Sequence, residues 1–178
     1  MLSIIHNDHK NIAKLLNVLT DKLARIKLEE GVDYRLVRDI VNYLQTYSGK
    51  FHHPLEDSIY EYYLKYRVVD DSVANRLAQE HHNLEQISSE LKEMIDSILL
   101  DAIVSRDDII EKLDQFVSLQ KAHLNYEEGE ILPAIKASLT ADDWRQLEQN
   151  WHHDPQDDPL FGRSVADQYK SLAKRLGL

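Results

Sequence analysis

The chain contains no cysteine. That absence excludes disulfides, thiolate metal sites, cysteine-ligated iron–sulfur clusters and cysteine nucleophiles together. Glycine and proline are scarce, 5 and 4 among 178 residues, which points to long helices rather than many turns. No apolar run is long enough to span a bilayer, so no membrane association is expected. Met1-Leu2-Ser3-Ile4-Ile5-His6 reaches polar residues too early for the apolar region of a signal peptide. A cytoplasmic location fits these absences. No phosphate-binding glycine loop, nucleotide fingerprint or serine or threonine nucleophile constellation is present. Basic residues are outnumbered, 21 against 31 acidic, for a formal charge of −10. Such a surface repels phosphate backbones, so nucleic acid is not an expected partner. Bound cations would offset part of the charge.

What is present is enough apolar sequence, 43%, for one hydrophobic core. Leu2, Ile5, His9, Ile12, Leu16, Leu19, Leu23 and Ile26 step by three and four and predict a first helix. Gly31 is its expected left-handed cap. Asp33 is a good N-cap for a second helix. Its buried face runs through Val37, Val41, Leu44, Ser48, His52, Leu55, Ile59 and Tyr63. Pro54 has no N–H for the carbonyl of Lys50, so a kink or local widening is expected beside the histidines. Asp70-Asp71-Ser72 caps a third helix with the seam Ala74, Leu77, His81, Leu84, Ser88, Leu91, Ile95 and Ile98. Ser105-Arg106-Asp107-Asp108 resembles a capping box for a fourth, through Ile109, Leu113, Phe116, Gln120, His123, Glu127 and Ile131. Pro133 bends or ends it. Thr140 to Asp143 opens a short fifth helix, and a last one is predicted from about Ser164 to Leu176.

The two halves repeat. Asp8-His9-x2-Ile12 matches Glu80-His81-x2-Leu84, and His52-x3-Glu56-Asp57 matches His123-x3-Glu127-Glu128. The offsets agree, 81 − 9 = 72 and 123 − 52 = 71, as in an internal repeat. A histidine and a carboxylate four apart stack on one helix face. His9 and His81 lie roughly 10–15 Å from the starts of their helices, and His52 and His123 roughly 20 Å from the ends of theirs, at 1.5 Å per residue. In an up-down-up-down bundle those starts and ends share one end of the molecule. The expectation is therefore an all-α four-helix bundle over 1–138, with additional C-terminal helices over 139–178 packed on it.

A lone histidine in a helix seam is ordinarily a hydrogen-bonded core residue. The joint pattern is different. Burying Glu56 and Glu127 without cations would cost several kcal/mol per ion, and a metal pair neutralises them. Imidazole with carboxylate suits iron, manganese or zinc. Ferritin-like sites use Glu-x-x-His pairs instead, so that architecture fits less well.

Asp8-His9 with Ile12, His52-His53-Pro54-Leu55-Glu56-Asp57, Glu80-His81 with Leu84, and His123-Leu124-Asn125-Tyr126-Glu127-Glu128 together resemble the hemerythrin-like, HHE cation-binding domain proteins. The resemblance covers the chain to about Pro133. It implies a non-haem di-iron centre with His9, His52, His81 and His123 as terminal ligands and Glu56 and Glu127 as bridges. Zinc and manganese are its expected substitutes. Oxygen-carrying hemerythrins have a fifth histidine one turn after the third-helix ligand. Here that position is Glu85, either a ligand itself or replaced by water, and reversible oxygen carriage is in question.

The remaining candidates read differently. His53 and Asp57 are expected on a more polar outer face, His82 in solvent, and His6 near the site as an extra ligand or proton donor. Tyr63 and Tyr126 read as packing residues. Trp151-His152-His153 reads as surface or as part of a helix closing the bundle's end. The leading functional expectation is a centre that binds or reacts with a small diatomic or peroxidic ligand: dioxygen, nitric oxide or peroxide. The alternatives are a metal- or oxygen-responsive sensor or interaction module, with a protein partner or a second copy of the chain, and repair of iron centres damaged by nitric oxide.

Overall fold

The computed structural model describes residues 1–67, 72–151 and 158–178, with side chains of the middle segment from 76 onward. All regular structure among them is helical. The first helix, α1 (Leu2–Lys27), buries the expected stripe, Ile5 to Ile26. It does not end on Gly31. Glu29 takes the left-handed conformation instead, at φ 61°. The N–H of Glu30 closes the end by donating to the carbonyl of Arg25 at 3.0 Å, and the Glu29 carboxylate pairs with Arg106. That pairing joins the α1 end to Arg106 at the start of the fourth long helix.

Asp33 caps α2 (Tyr34–Tyr47) by accepting from the N–H of Leu36 at 3.1 Å. A π-helical turn, Ser48–His52, follows, and then α3 (His53–Arg67). The widening sits immediately before Pro54. It gives the chain a turn in which the carbonyl that proline cannot satisfy is rearranged. The next helix, α4, spans Ser72–Leu99; the expected caps Asp70 and Asp71 lie outside the described residues. At α5 (Arg106–Tyr126) Ser105 holds the N-cap position, but its side chain accepts no hydrogen bond. A second π turn, Glu127–Ile131, leads into α6 (Leu132–Ser138). Thr140 and Asp143 form a full capping box at α7 (Ala141–Asn150). The last helix is shorter than its sequence pattern, a 3-10 turn at Asp167–Tyr169 and then α8 (Lys170–Leu176).

α1 lies against α2 and α5, and α4 against α2 and α5, which closes a four-helix bundle. The core is divided into two. One cluster runs through Leu16, Leu19, Val41, Leu44, Leu91, Leu113 and Phe116. The other gathers Ile5, Leu55, Ile59, Leu77, Ile131, Ile135 and Leu147 at one end. Between them in sequence, on all four long helices, fall the histidines and glutamates. The C-terminal residues complete both cores. Leu147 of α7 belongs to the second, and Leu160, Tyr169 and Leu172 to the first.

Asp158 anchors the last segment. It is buried and accepts from the Tyr43 hydroxyl at 3.0 Å and from the N–H groups of Leu160 and Phe161 at 2.8 and 2.9 Å. Burial and this carboxylate push the Tyr43 phenol well above its usual range. Asp158→Ala leaves three donors without their acceptor. It is expected to lower unfolding free energy by about 2 kcal/mol, read from urea denaturation.

Candidate metal centre

One level of the bundle holds the polar core. His9, His52, Glu56, His81, His123 and Glu127 are all buried there, and both glutamates have no exposed surface. Glu56 Oε1 stands 3.0 Å from His9 Nε2 and 3.3 Å from His52 Nε2, while Oε2 stands 3.5 Å from His81 Nε2. Glu127 Oε2 stands 3.2 Å from His9 Nε2 and 3.4 Å from His123 Nε2. Each carboxylate therefore faces imidazoles from both halves of the chain.

Three of the four outer nitrogens are held by a second set of carboxylates. His9 Nδ1 donates to Glu128 at 2.7 Å, His81 Nδ1 to Asp57 at 3.1 Å and His123 Nδ1 to Glu80 at 3.0 Å. His52 Nδ1 faces Asp8 at 3.4 Å. The repeat is visible in this pattern. Asp8 and Glu80, each just before a lone histidine, serve His52 and His123. Asp57 and Glu128, each just after a glutamate, serve His81 and His9. A proton fixed on Nδ1 leaves the Nε2 lone pair free to point inward, the tautomer a metal-ligating histidine needs.

The donor set fits metal ions on its own evidence. His52 Nε2, His81 Nε2, His123 Nε2, Glu56 Oε2 and Glu127 Oε2 are buried without a hydrogen bond. Buried polar atoms in folded proteins are seldom left so. The donor atoms fall into two groups, each within 4.8 Å: His9, His52 and Glu56, and His53, Glu56, His81 and His123. Glu56 belongs to both groups, as expected of a residue between two ions. Glu127 faces His9 of the first group and His123 and, at 3.9 Å, His81 of the second. Tyr60 donates its hydroxyl hydrogen to Glu127 Oε1 at 2.8 Å; burial and the nearby carboxylates push its phenol far above the usual range.

The same crowding sets the proton inventory. Burial pushes the His9 and His81 imidazoles down, but their carboxylates outweigh it and raise each to about 10. Burial pushes Glu56 up, and His52, His81 and His9 bring it well below the carboxylate range. Without metal, His9 and His81 therefore carry protons that balance Glu56. Ligation requires their release. Metal uptake is expected to release protons and to be about tenfold or more tighter at pH 8.5 than at pH 6.5, measured by competition with a chelator of known pH dependence. The same two imidazoles give the metal-free chain stability that is full below the unfolded value near 6.5 and lost as pH rises through about 10.

Three features depart from the sequence reading. His53 is not on an outer face; its ring stacks on His81 at 4.0 Å and 10°. Burial and the neighbouring His81 push it well below 6.5, so it is neutral. Glu85 is exposed, on the wall of a cleft of about 290 Å³ that also touches His53, Asp57 and His81. Tyr60, one turn beyond Glu56, reaches the centre, whereas Tyr63 packs in the second core and Tyr126 lies under Arg76. The rest settles simply. Asp57 supports His81 from outside, and His82 is exposed. His6 is half-buried and bonds Glu128 at 2.8 Å, one step out from His9. His6, His9 and Glu128 border a second, mainly apolar cleft of about 560 Å³ between α1 and α5. Trp151 packs on the second core, while His152 and His153 lie outside the described residues. Among the described residues, no helix is long and apolar enough to cross a membrane.

Comparison with known protein families matches residues 1–135 to the hemerythrin HHE cation binding domain. Comparisons with curated proteins and with solved structures find no match.

Proposed function

Because the chain belongs to the hemerythrin HHE cation-binding family, we propose that it is a di-iron protein whose centre binds or reacts with dioxygen, nitric oxide or peroxide. The observation that carries this reading is the inward-facing set of buried nitrogen and carboxylate atoms without hydrogen bonds, on two halves of one repeat. His9, His52, His81 and His123 would hold the ions and Glu56 and Glu127 would span them. Reduced iron supplies electrons to such a ligand; zinc or manganese in its place would occupy the site without that chemistry.

The chain's own residues do the rest. Asp57, Glu80 and Glu128 fix the orientations of His81, His123 and His9 and raise their basicity, and Asp8 lies 3.4 Å from His52 Nδ1. Tyr60 holds Glu127 by one oxygen and leaves the other facing the histidines. The aliphatic cores on either side keep bulk water from the centre. The α1/α5 cleft gives a small ligand a route to His9, and the His6–Glu128–His9 hydrogen-bond chain connects that position to a half-exposed imidazole. Anaerobic loading with ferrous iron and then exposure to oxygen tests the reading. A new near-ultraviolet or visible band at two irons per chain is expected; loading without any new band on exposure would contradict reactivity.

A second reading, a metal-responsive module, draws on one further contact path. Asp158 bonds Tyr43, whose ring stacks on Tyr47 at 5.5 Å; Tyr47 donates to Asp8, which faces His52. The C-terminal segment is thus joined to the centre through buried groups. Under this reading, hydrogen exchange over residues 158–176 slows on metal loading. Unchanged exchange there would exclude it.

A further inference from the structure

The repeat also relates two clefts that flank the polar layer. One, of about 560 Å³, lies between α1 and α5; the other, of about 290 Å³, lies between α4 and the chain running from α2 into α3. Residues 9, 10, 13 and 16 of α1 correspond to 81, 82, 85 and 88 of α4, since 81 − 9 = 72 and 88 − 16 = 72. Residues 124 and 128 correspond to 53 and 57, since 124 − 53 = 71 and 128 − 57 = 71. All of them line their respective clefts. The two clefts are therefore copies of one groove, and their linings have diverged. Where one copy has Glu85, Ser88 and His53, the α1/α5 copy has Ala13, Leu16 and Leu124.

The α1/α5 groove thus has an aliphatic floor. Leu16 and Leu124 are buried, and Ala13 presents only a methyl group. Its rim is cationic, with Lys10 from α1 on one wall and Lys121 from α5 on the other. Their methylene stems extend the apolar surface. Neither ammonium makes an ion pair among the described residues; Lys121 donates to the neutral Thr20 hydroxyl at 2.9 Å. The one carboxylate of the lining, Glu128, already accepts from His6 and His9 at 2.8 and 2.7 Å. The equivalent groove has the opposite sign. Asp57 and Glu85 line it, and no lysine does among the described residues.

We propose that the α1/α5 groove binds an organic monocarboxylate with an aliphatic tail, the tail on Ala13, Leu16 and Leu124 and the carboxylate at Lys10 and Lys121. A volume of about 560 Å³ is in the range of small-molecule sites. The floor removes hydrocarbon from water, and the two lysines set the charge of the occupant. A neutral amphiphile leaves them unmatched, and a cationic one is repelled. The formal charge of −10 keeps the chain as a whole from an anionic membrane surface, so the occupant is a free molecule. The inference does not rest on a metal in the centre.

Octanoate is the probe, and equilibrium dialysis of radiolabelled octanoate against the chain as purified measures its binding. The parent is expected to hold one octanoate per chain. Acetate lacks the tail, octanol the charge, and octylamine has the wrong charge; each is expected to compete ~10-fold less well or worse. Ala13→Glu installs the residue of the equivalent groove, and the double variant Lys10→Gln/Lys121→Gln removes both cations. Each is expected to weaken octanoate binding ~10-fold or more. Glu85→Ala, in the other groove, is expected to stay within about twofold of the parent. Circular dichroism separates loss of fold from loss of the site, and if Ala13→Glu does not fold, the double variant, changed only at the rim, decides alone. No octanoate bound by the parent, or octanol competing as well as octanoate, would overturn the proposal. So would unchanged binding in the folded double variant, which would put the carboxylate at the buried centre or elsewhere on the chain.

Discussion

Glu56→Gln is expected to remove the metal pair. Glutamine keeps the length of the side chain and one carbonyl oxygen, but loses the charge and one of the two acceptors. Glu56 is the residue common to both donor groups, with its oxygens 3.0 to 3.5 Å from His9, His52 and His81. Neither ion position keeps its charge balance without it. Replacing a residue that only supports a ligand costs about 10- to 100-fold in metal affinity. The loss for Glu56→Gln should exceed that range, about 100-fold or more, in both binding steps. Asp57→Asn provides the internal scale, since Asp57 touches only the outer nitrogen of His81; its loss should fall within the range. Calorimetric titration with ferrous iron under anaerobic conditions reads both. Two ions held by Glu56→Gln at parental affinity would sink the assignment of Glu56 as the shared ligand.

Metal loading should also be the largest single contribution to the stability of this fold that can be switched in solution. A polar layer divides the core, and without cations the buried Glu56 is faced by the protonated His9 and His81. An ion present at about 1,000 times its dissociation constant adds about 4.1 kcal/mol. For a domain of this length that corresponds to a rise of roughly 8–16 °C in the unfolding temperature. The gain should grow between pH 6.5 and 9, because the metal-free fold loses stability once the unfolded chain's imidazoles shed protons that the folded His9 and His81 still hold, while metal competes with fewer protons. Scanning calorimetry of chelated and reloaded protein at both pH values gives the answer. Equal unfolding temperatures with and without metal would mean that the buried donors are satisfied in some other way.

Much of the fold was legible because seams of three and four survive in long regular helices. Leu16, Leu19, Leu91 and Leu113 are core residues that any regular helix would bury. The level of the centre was legible from repeat spacing alone, because each half counts the same number of residues to its histidine. What was hidden has local causes. His53 was misplaced because a uniform period was extended through Ser48–His52, where the turn is wider. Pro54 marked the disturbance but not its direction. The outer carboxylates were visible as part of the repeat, but their partners were not. Asp8 faces His52 of the π turn after α2 rather than its neighbour His9, and such pairings depend on how helices face each other. Gly31 is not the cap because the chain turns left-handed two residues earlier, at Glu29, where the N–H of Glu30 already closes on the carbonyl of Arg25. The shortening of the last helix follows from the 3-10 turn at Asp167–Tyr169, whose Tyr169 ring packs edge-on against Tyr43 at 5.3 Å.

The central claim is that the polar layer of this bundle is a two-ion site on Glu56 and Glu127. Anomalous diffraction from crystals of protein purified without added metal, collected on both sides of the iron absorption edge, tests it most directly. The account predicts two iron peaks in the polar layer, one beside His9 and His52 and the other beside His81 and His123, with Glu56 and Glu127 reaching both. A single peak, or none in that layer while iron is bound elsewhere on the chain, would contradict it.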